Sequence, residues 1–356
     1  MRRLVVCSDG TWATISKQHL TNVAKLATAL RPTAPDGTDQ IVFYDPGVGT
    51  GDFWNRVSGG AVGSGLYDNV KDAYTFLMNN HERGDEIYLF GFSRGAFTVR
   101  SVAGMIRKCG LLEKSHVAEF ARAYDLYREG RKAGGSRGTY AEGWPDTEDA
   151  RRFRESYSRK DFAAQRFQIK FIGVWDTVAA LGLQLLRRVR LAGRNEFHDL
   201  HLSTKVGMAY QALAIDERRR NFQPSIWVQQ DNAPDDQMLE QVWFAGCHSD
   251  VGGGAATSGL SDVALEWMIQ KAEATGLVFD RECLEALKVR PYPLANKNES
   301  WKFPWFVIPP YSRKIGKVEP SREALDPSVI ARYDEIDYRP KNLLDYLRRA
   351  NLPPSR

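Results

Sequence analysis

Residues 86–106 read EIYLFGFSRGAFTVRSVAGMI, which is an apolar run, a serine between glycines and a second apolar run in immediate succession. The run over residues 86–90 predicts a buried strand, because strands of parallel sheets are apolar on both faces. Residues 96–106 carry small and apolar side chains over a wide face, which indicates a helix packed under a sheet. The segment therefore predicts a strand, a sharp turn that contains Ser93, and a helix.

The same alternation of strand and helix continues on both sides of this segment. Apolar runs predict earlier strands over residues 3–7 and 41–44, and apolar spacing predicts helices over residues 23–30 and 66–78. Later strands are predicted over residues 168–176, 225–228 and 241–248, and a helix from Ser261 to about residue 274. Strands that alternate with helices imply right-handed crossovers. We therefore expect an α/β fold with a mainly parallel central sheet flanked by helices.

The length of 356 residues suits one large α/β unit with insertions, so residues 1–356 are expected to form a single domain. Residues 112–167 are rich in Arg and Tyr and predict a helical insertion over the carboxyl edge of the sheet. This insertion is interpreted either as a lid or as a solvated decoration. The tail over residues 292–356, rich in Pro and aromatic residues, is expected to wrap the surface.

The composition is that of a soluble globular protein, with 43% hydrophobic and 26% charged residues. The net charge of +5 is modest and its basic residues are dispersed, so nucleic acid is not expected as a partner. The four cysteines lie far apart without Cys-x-x-Cys spacing, which argues against a zinc site or a disulfide scaffold. No metal and no cofactor is expected.

The N-terminus and the hydropathy pattern bear on location. Only four apolar residues, 4–7, follow Met1-Arg2-Arg3, which is too short for the core of a signal peptide. Spanning a bilayer takes roughly 18 apolar residues in succession, and the sequence has no such run. We expect a chain that folds in the cytoplasm of the cell that makes it.

Ser93 is the candidate nucleophile, in Gly91-Phe92-Ser93-Arg94-Gly95. The motif Gly-x-Ser-x-Gly is short, and its context between a strand and a helix is what favours a nucleophile elbow. Glycines flank the serine in such turns because a Cβ there would collide with neighbouring backbone. The alternative is a structural serine in a glycine-rich turn.

A serine hydroxyl needs a base to accept its proton, and histidine is the usual base. His248 ends a predicted strand and is the candidate. His198 and His201 lie in a polar stretch, and His116 lies in the insertion. The alternative for His248 is a buried histidine whose nitrogens bond to backbone.

An acid must orient the base, and in this fold the chain order is serine, acid, histidine. Asp176 ends a predicted strand after Trp175 and is the candidate. Asp216 and Asp250 are the alternative candidates for this acid. Asp250 is also interpreted as a support for the glycine turn that follows it, and Asp216 as a partner of nearby arginines.

The oxyanion of the tetrahedral intermediate needs two backbone N–H donors. Arg94 supplies the first by its position after Ser93, and the turn after the first strand offers Gly10 or Thr11 as the second. Asp9 in the same turn is interpreted as a carboxylate that stabilises the turn, with a catalytic or metal-binding role as the alternative.

Two further segments invite functional interpretations. Residues 47–51, GVGTG, lack the Gly-x-Gly-x-x-Gly spacing and no Walker lysine follows, so nucleotide binding is not expected. Residues 181–191, LGLQLLRRVRL, interleave leucine and arginine. This pattern fits an interfacial helix that contacts anionic lipid, or a core-facing helix with a solvated basic side.

The chain resembles a family of α/β-hydrolases, long known as a domain of unknown function, that includes the catalytic domain of type VI secretion phospholipase effectors. The matching stretches are VCSDGTW (6–12), YDPGVGT (44–50), GFSRGA (91–96), VWDTV (174–178), AIDERR (214–219) and GCHSDVGG (246–253). The resemblance implies an α/β-hydrolase fold and a triad of Ser93, Asp176 and His248. For the effector members it also implies phospholipase A activity and release by a route without a signal peptide.

The residues and the resemblance together predict a serine carboxylic-ester hydrolase that acts through an acyl-enzyme, with phospholipid or another acyl lipid as substrate. Peripheral contact with a membrane is expected with such a substrate. The alternatives are an acyltransferase or a small-ester esterase with the same triad, and a non-catalytic binding module on a hydrolase scaffold.

Overall fold

Seven strands build the central sheet of the computed structural model, which describes residues 1–10, 19–47, 62–132, 147–178, 200–301 and 309–351. The strands are β1 (Arg3–Ser8), β2 (Gln40–Asp45), β3 (Glu86–Phe92), β4 (Ile169–Trp175), β5 (Val206–Ala214), β6 (Met238–Phe244) and β7 (Glu323–Leu325). All neighbouring strands pair in parallel. The expected parallel α/β architecture is confirmed.

The strand order β2-β1-β3-β4-β5-β6-β7 creates one point at which the winding reverses. The chain passes from β1 outward to β2 and then returns to the other side of β1 as β3. At such a switch point the connections leave β1 and β3 in opposite directions and open a crevice at the carboxyl ends of the strands. The residues that follow β1 and β3 therefore border the place where open α/β sheets bind ligands.

Helices cover both faces of the sheet. They are α1 (Asn22–Ala29), α2 (Val62–Asn80), α3 (Arg94–Cys109), α4 (Phe120–Lys132), α5 (Glu148–Tyr157), α6 (Lys160–Ala163), α7 (His248–Gly252), α8 (Gly259–Glu273), α9 (Arg281–Ala286), α10 (Pro327–Glu335) and α11 (Lys341–Arg349). Helices α2, α3 and α4 contribute buried side chains to one core cluster, and α1, α8 and α9 to another. Across the described ranges, no helix is both long enough and apolar enough to cross a membrane.

The strand predicted over residues 225–228 is wrong, and β5, which was not predicted, lies between β4 and β6 in the sheet. Residues 225–228 lie in an extended segment in which a bridge joins Val228 to His201. Two buried glutamines of the sheet bond this segment through their side chains: Gln211 Nε2 donates to the Ser225 carbonyl at 3.1 Å, and Gln241 Oε1 accepts from the Trp227 amide at 2.7 Å. Side-chain amides thus satisfy backbone groups that a strand ladder would otherwise pair.

The insertion and the C-terminal tail both join the core. Phe120 and Tyr124 of α4 and Phe153 of α5 belong to the same cluster as α3, so these helices pack directly on the helix that follows Ser93. The tail was expected to wrap the surface from about residue 292. It also adds β7 to the edge of the sheet, and α10 and α11 cover the ends of β5 and β6.

Candidate active site

Ser93 lies in a sharp turn between β3 and α3 that depends on two glycines. Its φ of 57° and ψ of −116° are unusual for a residue with a side chain, a conformation that costs about 1 to 3 kcal/mol. A Cβ on Gly91 would lie 2.6 Å from the backbone nitrogen of Ala96, and a Cβ on Gly95 would lie 2.0 Å from the carbonyl oxygen of Ser8. The backbone is therefore too close for a side chain at either position, and the turn has the geometry of a nucleophile elbow.

The surroundings of Ser93 place it at the switch point of the sheet. A Cβ on Gly10, which follows β1, would lie 3.1 Å from the Ser93 Cβ and 3.7 Å from its Oγ. On the other side, the Ser93 amide donates to the carbonyl of Trp175, the last residue of β4, at 3.1 Å. Ser93 thus lies between the ends of β1 and β4, in the crevice where this fold binds ligands.

Asp176 and His248, predicted separately from two strand ends, form a hydrogen-bonded pair. Asp176 directly follows β4, and its Oδ2 lies 2.5 Å from the Nδ1 of His248. His248 is the first residue of α7, which begins a few residues after β6. The carboxylate is fully buried and the histidine is 7% exposed. A buried carboxylate that bonds to Nδ1 orients the imidazole and defines its tautomer.

Aromatic rings hold the imidazole next to the serine turn. The ring of Phe92, the residue before Ser93, lies 4.6 Å from the imidazole between centroids, and the Phe222 ring lies 5.0 Å away in an edge-on arrangement. Gly252 makes room for this packing, because a Cβ there would lie 1.9 Å from the Phe92 ring. The serine turn and the Asp176–His248 pair are therefore neighbours in one site.

Arg313 is a residue of the site that the sequence analysis missed. Its guanidinium contacts both carboxylate oxygens of Asp176, with Nη1 on Oδ1 and Nη2 on Oδ2, the latter at 2.9 Å. Burial acts to raise the pKa of Asp176, but the charge of Arg313 and its hydrogen bonds, together with those of His248, outweigh burial and hold the pKa well below its usual range. The acid of the pair is therefore ionised.

Glu217 supports His248 from the backbone side. Its Oε2 accepts from the His248 amide at 3.2 Å, and Arg219 pairs with both of its oxygens at 2.8 Å. Burial acts to raise the pKa of Glu217, and the hydrogen bond and charge of Arg219, with smaller contributions from Arg313 and His248, lower it overall. Glu217 stands in the stretch DERRR, in which the sequence analysis weighed only Asp216.

The competing acids have other partners. Asp216 Oδ2 accepts from the Gly246 amide at 2.7 Å and from the Tyr338 hydroxyl at 2.6 Å, so it anchors the turn before His248. Asp250 accepts from the Cys247 amide at 2.8 Å and from Asn298. These bonds support the start of α7 and do not involve the imidazole.

The competing histidines lie elsewhere or outside the described residues. The His116 ring packs edge-on against Tyr157 within the insertion, at 5.2 Å between centroids. His201 lines a small cavity with Arg100 and Trp227. His198 falls outside the part of the chain that the structure describes, as does the leucine and arginine segment at 181–191.

The structure describes two of the three candidate oxyanion donors, Arg94 and Gly10. Arg94 begins α3, and the N-terminus of a helix presents backbone N–H groups and the positive end of its dipole. The Gly10 amide donates to Asp9 Oδ1 at 2.9 Å. Thr11 lies outside the described residues.

Asp9 is buried at the turn after β1, where it accepts hydrogen bonds from neutral groups. Thr21 and Tyr44 donate to its Oδ2, the latter at 3.0 Å, besides the amide of Gly10 on Oδ1. Burial raises the pKa of Asp9 to about 6, although these three hydrogen bonds lower it. The contacts join the turn after β1 to Thr21, just before α1, and to β2, which suits the interpretation of Asp9 as a turn-stabilising carboxylate.

Comparisons with known proteins show which chains this one resembles. A model of the family described as "T6SS, Phospholipase effector Tle1-like, catalytic domain" matches residues 2–271. An uncharacterized protein of Saccharomyces cerevisiae, YEL023C, is 30% identical over 240 residues, which cover 62% of this chain and 32% of the yeast protein.

Two solved structures also resemble the chain. One is an uncharacterized protein from Pseudomonas aeruginosa, with 17% identity and a TM-score of 0.41, covering 78% of this chain and 46% of that one. The other is the Tle1 effector bound to the VgrG spike from the type 6 secretion system, with 17% identity and a TM-score of 0.39, covering 80% of this chain and 61% of that one. The chain spans less than two thirds of each of these relatives.

Proposed function

We propose a function for this chain from its family, because it belongs to the Tle1-like phospholipase effector catalytic domains. The proposed activity is hydrolysis of a carboxylic ester of phospholipid or another acyl lipid by a serine nucleophile. The observation that carries the proposal is the 2.5 Å contact between Asp176 Oδ2 and His248 Nδ1, next to the strained turn of Ser93. A strained serine beside a histidine that is oriented by an acid suits acyl transfer.

The first half of the proposed reaction forms an acyl-enzyme. Because Nδ1 of His248 faces Asp176, Nε2 is the nitrogen that serves Ser93. The Ser93 hydroxyl gives its proton to this nitrogen as Oγ attacks the acyl carbonyl carbon. The tetrahedral intermediate then collapses, the bond to the alcohol of the lipid breaks, and the leaving oxygen takes the proton from His248.

The second half releases the fatty acid. His248 removes a proton from water, the resulting hydroxide attacks the acyl carbon, and the Ser93 oxygen leaves with the proton returned by His248. The oxyanion of both intermediates is assigned to the amide of Arg94 and one amide of the turn after β1. Thr11 suits this second place better than Gly10, because the Gly10 amide would have to leave Asp9.

The substrate and the location follow from the family and are part of the proposal. A phospholipid substrate requires peripheral contact with a membrane surface. We further propose that the chain is made as a cytoplasmic protein and released by a route that needs no signal peptide. Release is tested by following the full-length chain in culture medium from cells that stay intact.

The test of the reaction compares fatty-acid release from phospholipid vesicles with cleavage of short nitrophenyl esters. We expect wild type to favour vesicles and Ser93→Ala to lower the rate by at least about 10⁴-fold, as when a triad member is removed. Ser101→Ala is the matched control, because Ser101 is a buried serine of α3, the helix that begins directly after Ser93.

Four results would change the proposal. Equal activity of Ser93→Ala and Ser101→Ala would refute the mechanism. Preference for nitrophenyl esters would replace the lipid substrate with small esters, and acyl products formed with added alcohols would indicate transfer to an acceptor other than water. Absence of fluorophosphonate labelling at Ser93 would favour a non-catalytic module.

A further inference from the structure

Arg313 reaches the site from a part of the chain beyond the family match, which ends at residue 271. The residue is 1% exposed, and its guanidinium meets the carboxylate of Asp176 with two nitrogens on two oxygens. Together with the Ala214 amide at 3.1 Å on Oδ1 and His248 on Oδ2, this gives the carboxylate four donors. Four donors in different directions define a single orientation of the Asp176 side chain.

Arg313 itself is held by the elements around the site. Its Nη1 donates to the Ala214 carbonyl at the end of β5, at 2.8 Å, and its Nη2 donates to the Phe222 carbonyl at 2.6 Å. The Phe222 ring contacts the imidazole of His248. One guanidinium therefore links the acid, the end of a central strand and the residue that packs against the base.

We propose that Arg313 is a positioning residue for the Asp176–His248 pair, an inference that rests on the proposed function. It holds Oδ2 of Asp176 toward Nδ1 of His248, and its charge opposes protonation of the imidazole. The C-terminal segment is thus a part of the catalytic unit, since it supplies the cation that a buried carboxylate requires.

The charges around His248 determine the expected pH effect. The carboxylates of Asp176 and Glu217 attract a proton on the imidazole, while the guanidinium groups of Arg313 and Arg219 repel it. Removal of Arg313 takes away one repulsion, so the protonated imidazole, which is inactive as a base, persists to higher pH. The acid limb of the pH–rate profile therefore moves upward when Arg313 is neutralised.

Lysine does not replace this arginine in full. A planar guanidinium offers several donors in a fixed fork, which here serve two carboxylate oxygens and two carbonyls. An ammonium group at the same place keeps the charge but has a compact set of three donors. Arg313→Lys therefore separates the effect of charge from the effect of orientation.

The experiment measures the second-order rate constant for labelling of Ser93 by a fluorophosphonate probe between about pH 5 and pH 9, where histidine titrates. The variants are Arg313→Met and Arg313→Lys in the full chain. Arg332→Met is the matched control: Arg332 is 3% exposed in the same C-terminal segment and donates to the carbonyls of Pro293 and Ala295, away from Asp176. Folded fractions are measured by near-UV circular dichroism.

We expect Arg313→Met to be labelled roughly 10- to 100-fold more slowly than wild type, the loss typical of outer hydrogen-bond partners in metal sites. Its acid limb moves to higher pH. Arg313→Lys is also labelled more slowly, but its acid limb stays near that of wild type. If Arg313→Met does not fold, Arg313→Lys carries the test through its labelling rate.

Each contrary result has a distinct meaning. Wild type that is not labelled at Ser93 refutes the proposed function itself. If wild type is labelled, and Arg313→Lys and any folded Arg313→Met behave like Arg332→Met in rate and in pH profile, only the role of Arg313 is overturned.

Discussion

Asp9 and Asp176 occupy equivalent places in this fold, yet their ionisation is shifted in opposite directions. Each directly follows a strand at the carboxyl edge of the sheet, and each is at most 1% exposed. Burial raises the pKa of Asp9 to about 6, whereas the pKa of Asp176 lies well below its usual range in spite of burial.

The partners of the two carboxylates explain the difference. Among the residues that the structure describes, Asp9 accepts hydrogen bonds from an amide and two hydroxyls, all of them neutral. Asp176 has the guanidinium of Arg313 besides the imidazole of His248. Burial alone therefore does not determine the charge of a carboxylate in this site; a buried cation decides it.

The largest expected effect comes from removing the charge of Asp176. Asp176→Asn should lower kcat by about 10⁴-fold, because a neutral amide neither selects the required tautomer of His248 nor stabilises its protonated form. The measurement is the rate of fatty-acid release per folded molecule.

Asp262→Asn is the control for this variant. Asp262 is as fully buried as Asp176 and pairs with Lys25 at 2.6 Å, away from Ser93. Its loss should lower stability and leave the rate per folded molecule unchanged. Similar losses of rate in both variants would mean that buried charge supports the fold in general and that Asp176 has no special part in the reaction.

A smaller effect is expected at the contact between the serine turn and the Asp9 turn. In Gly95→Ala the new Cβ would lie 2.0 Å from the Ser8 carbonyl and 2.7 Å from the Asp9 amide. Alanine is better than glycine in a helix by about 1 kcal/mol, whereas overpacking costs about 1 to 3 kcal/mol and occasionally more. An approach of 2.0 Å to backbone belongs at the upper end of that range, so the clash dominates. Denaturant unfolding measures the net loss.

Gly37→Ala serves as the comparison for the clash. Gly37 has a φ of 82° and nothing within 4 Å of an added Cβ, so its substitution should cost only the strain of the backbone, about 1 kcal/mol. Equal losses in the two variants would show that the close approach of α3 to β1 is not what requires glycine at position 95.

The last effect concerns the charge of Asp9 itself and appears only as the pH changes. An acid whose pKa is raised by folding binds its proton more tightly in the native state, so stability falls as pH rises from the unfolded value, near 4, to about 6. Asp9→Asn should remove up to about 3 kcal/mol of this dependence. The lowered pKa of Asp176 acts with the opposite sign: its contribution is present above the unfolded value and is lost as pH falls toward the folded pKa.

This prediction is checked by denaturant unfolding of wild type and Asp9→Asn at a series of pH values from about 4 to about 7. Other carboxylates contribute equally to both proteins, so the difference between the two curves isolates Asp9. Curves that stay parallel over this range would contradict a raised pKa.

The site residues that sequence patterns predicted have similar positions relative to the strands. Ser93, Asp176 and His248 each stand at or just after the end of an apolar strand, and parallel strands bring such ends to one edge of the sheet. Their roles in catalysis remain predictions that the experiments above address. The strand prediction over residues 225–228 is wrong because an apolar run also suits an extended segment bonded by buried glutamine side chains.

The amino-acid sequence by itself determined the alternation of strands and helices and the glycine-flanked turn of Ser93, because these depend on side chains within a few residues of each other. Tertiary structure alone decided which carboxylate meets His248 and which is ionised. Arg313 lies 137 positions from Asp176 along the chain, in a segment without a strand or helix pattern. Pairing over such a distance depends on how the whole chain folds, and no local pattern encodes it.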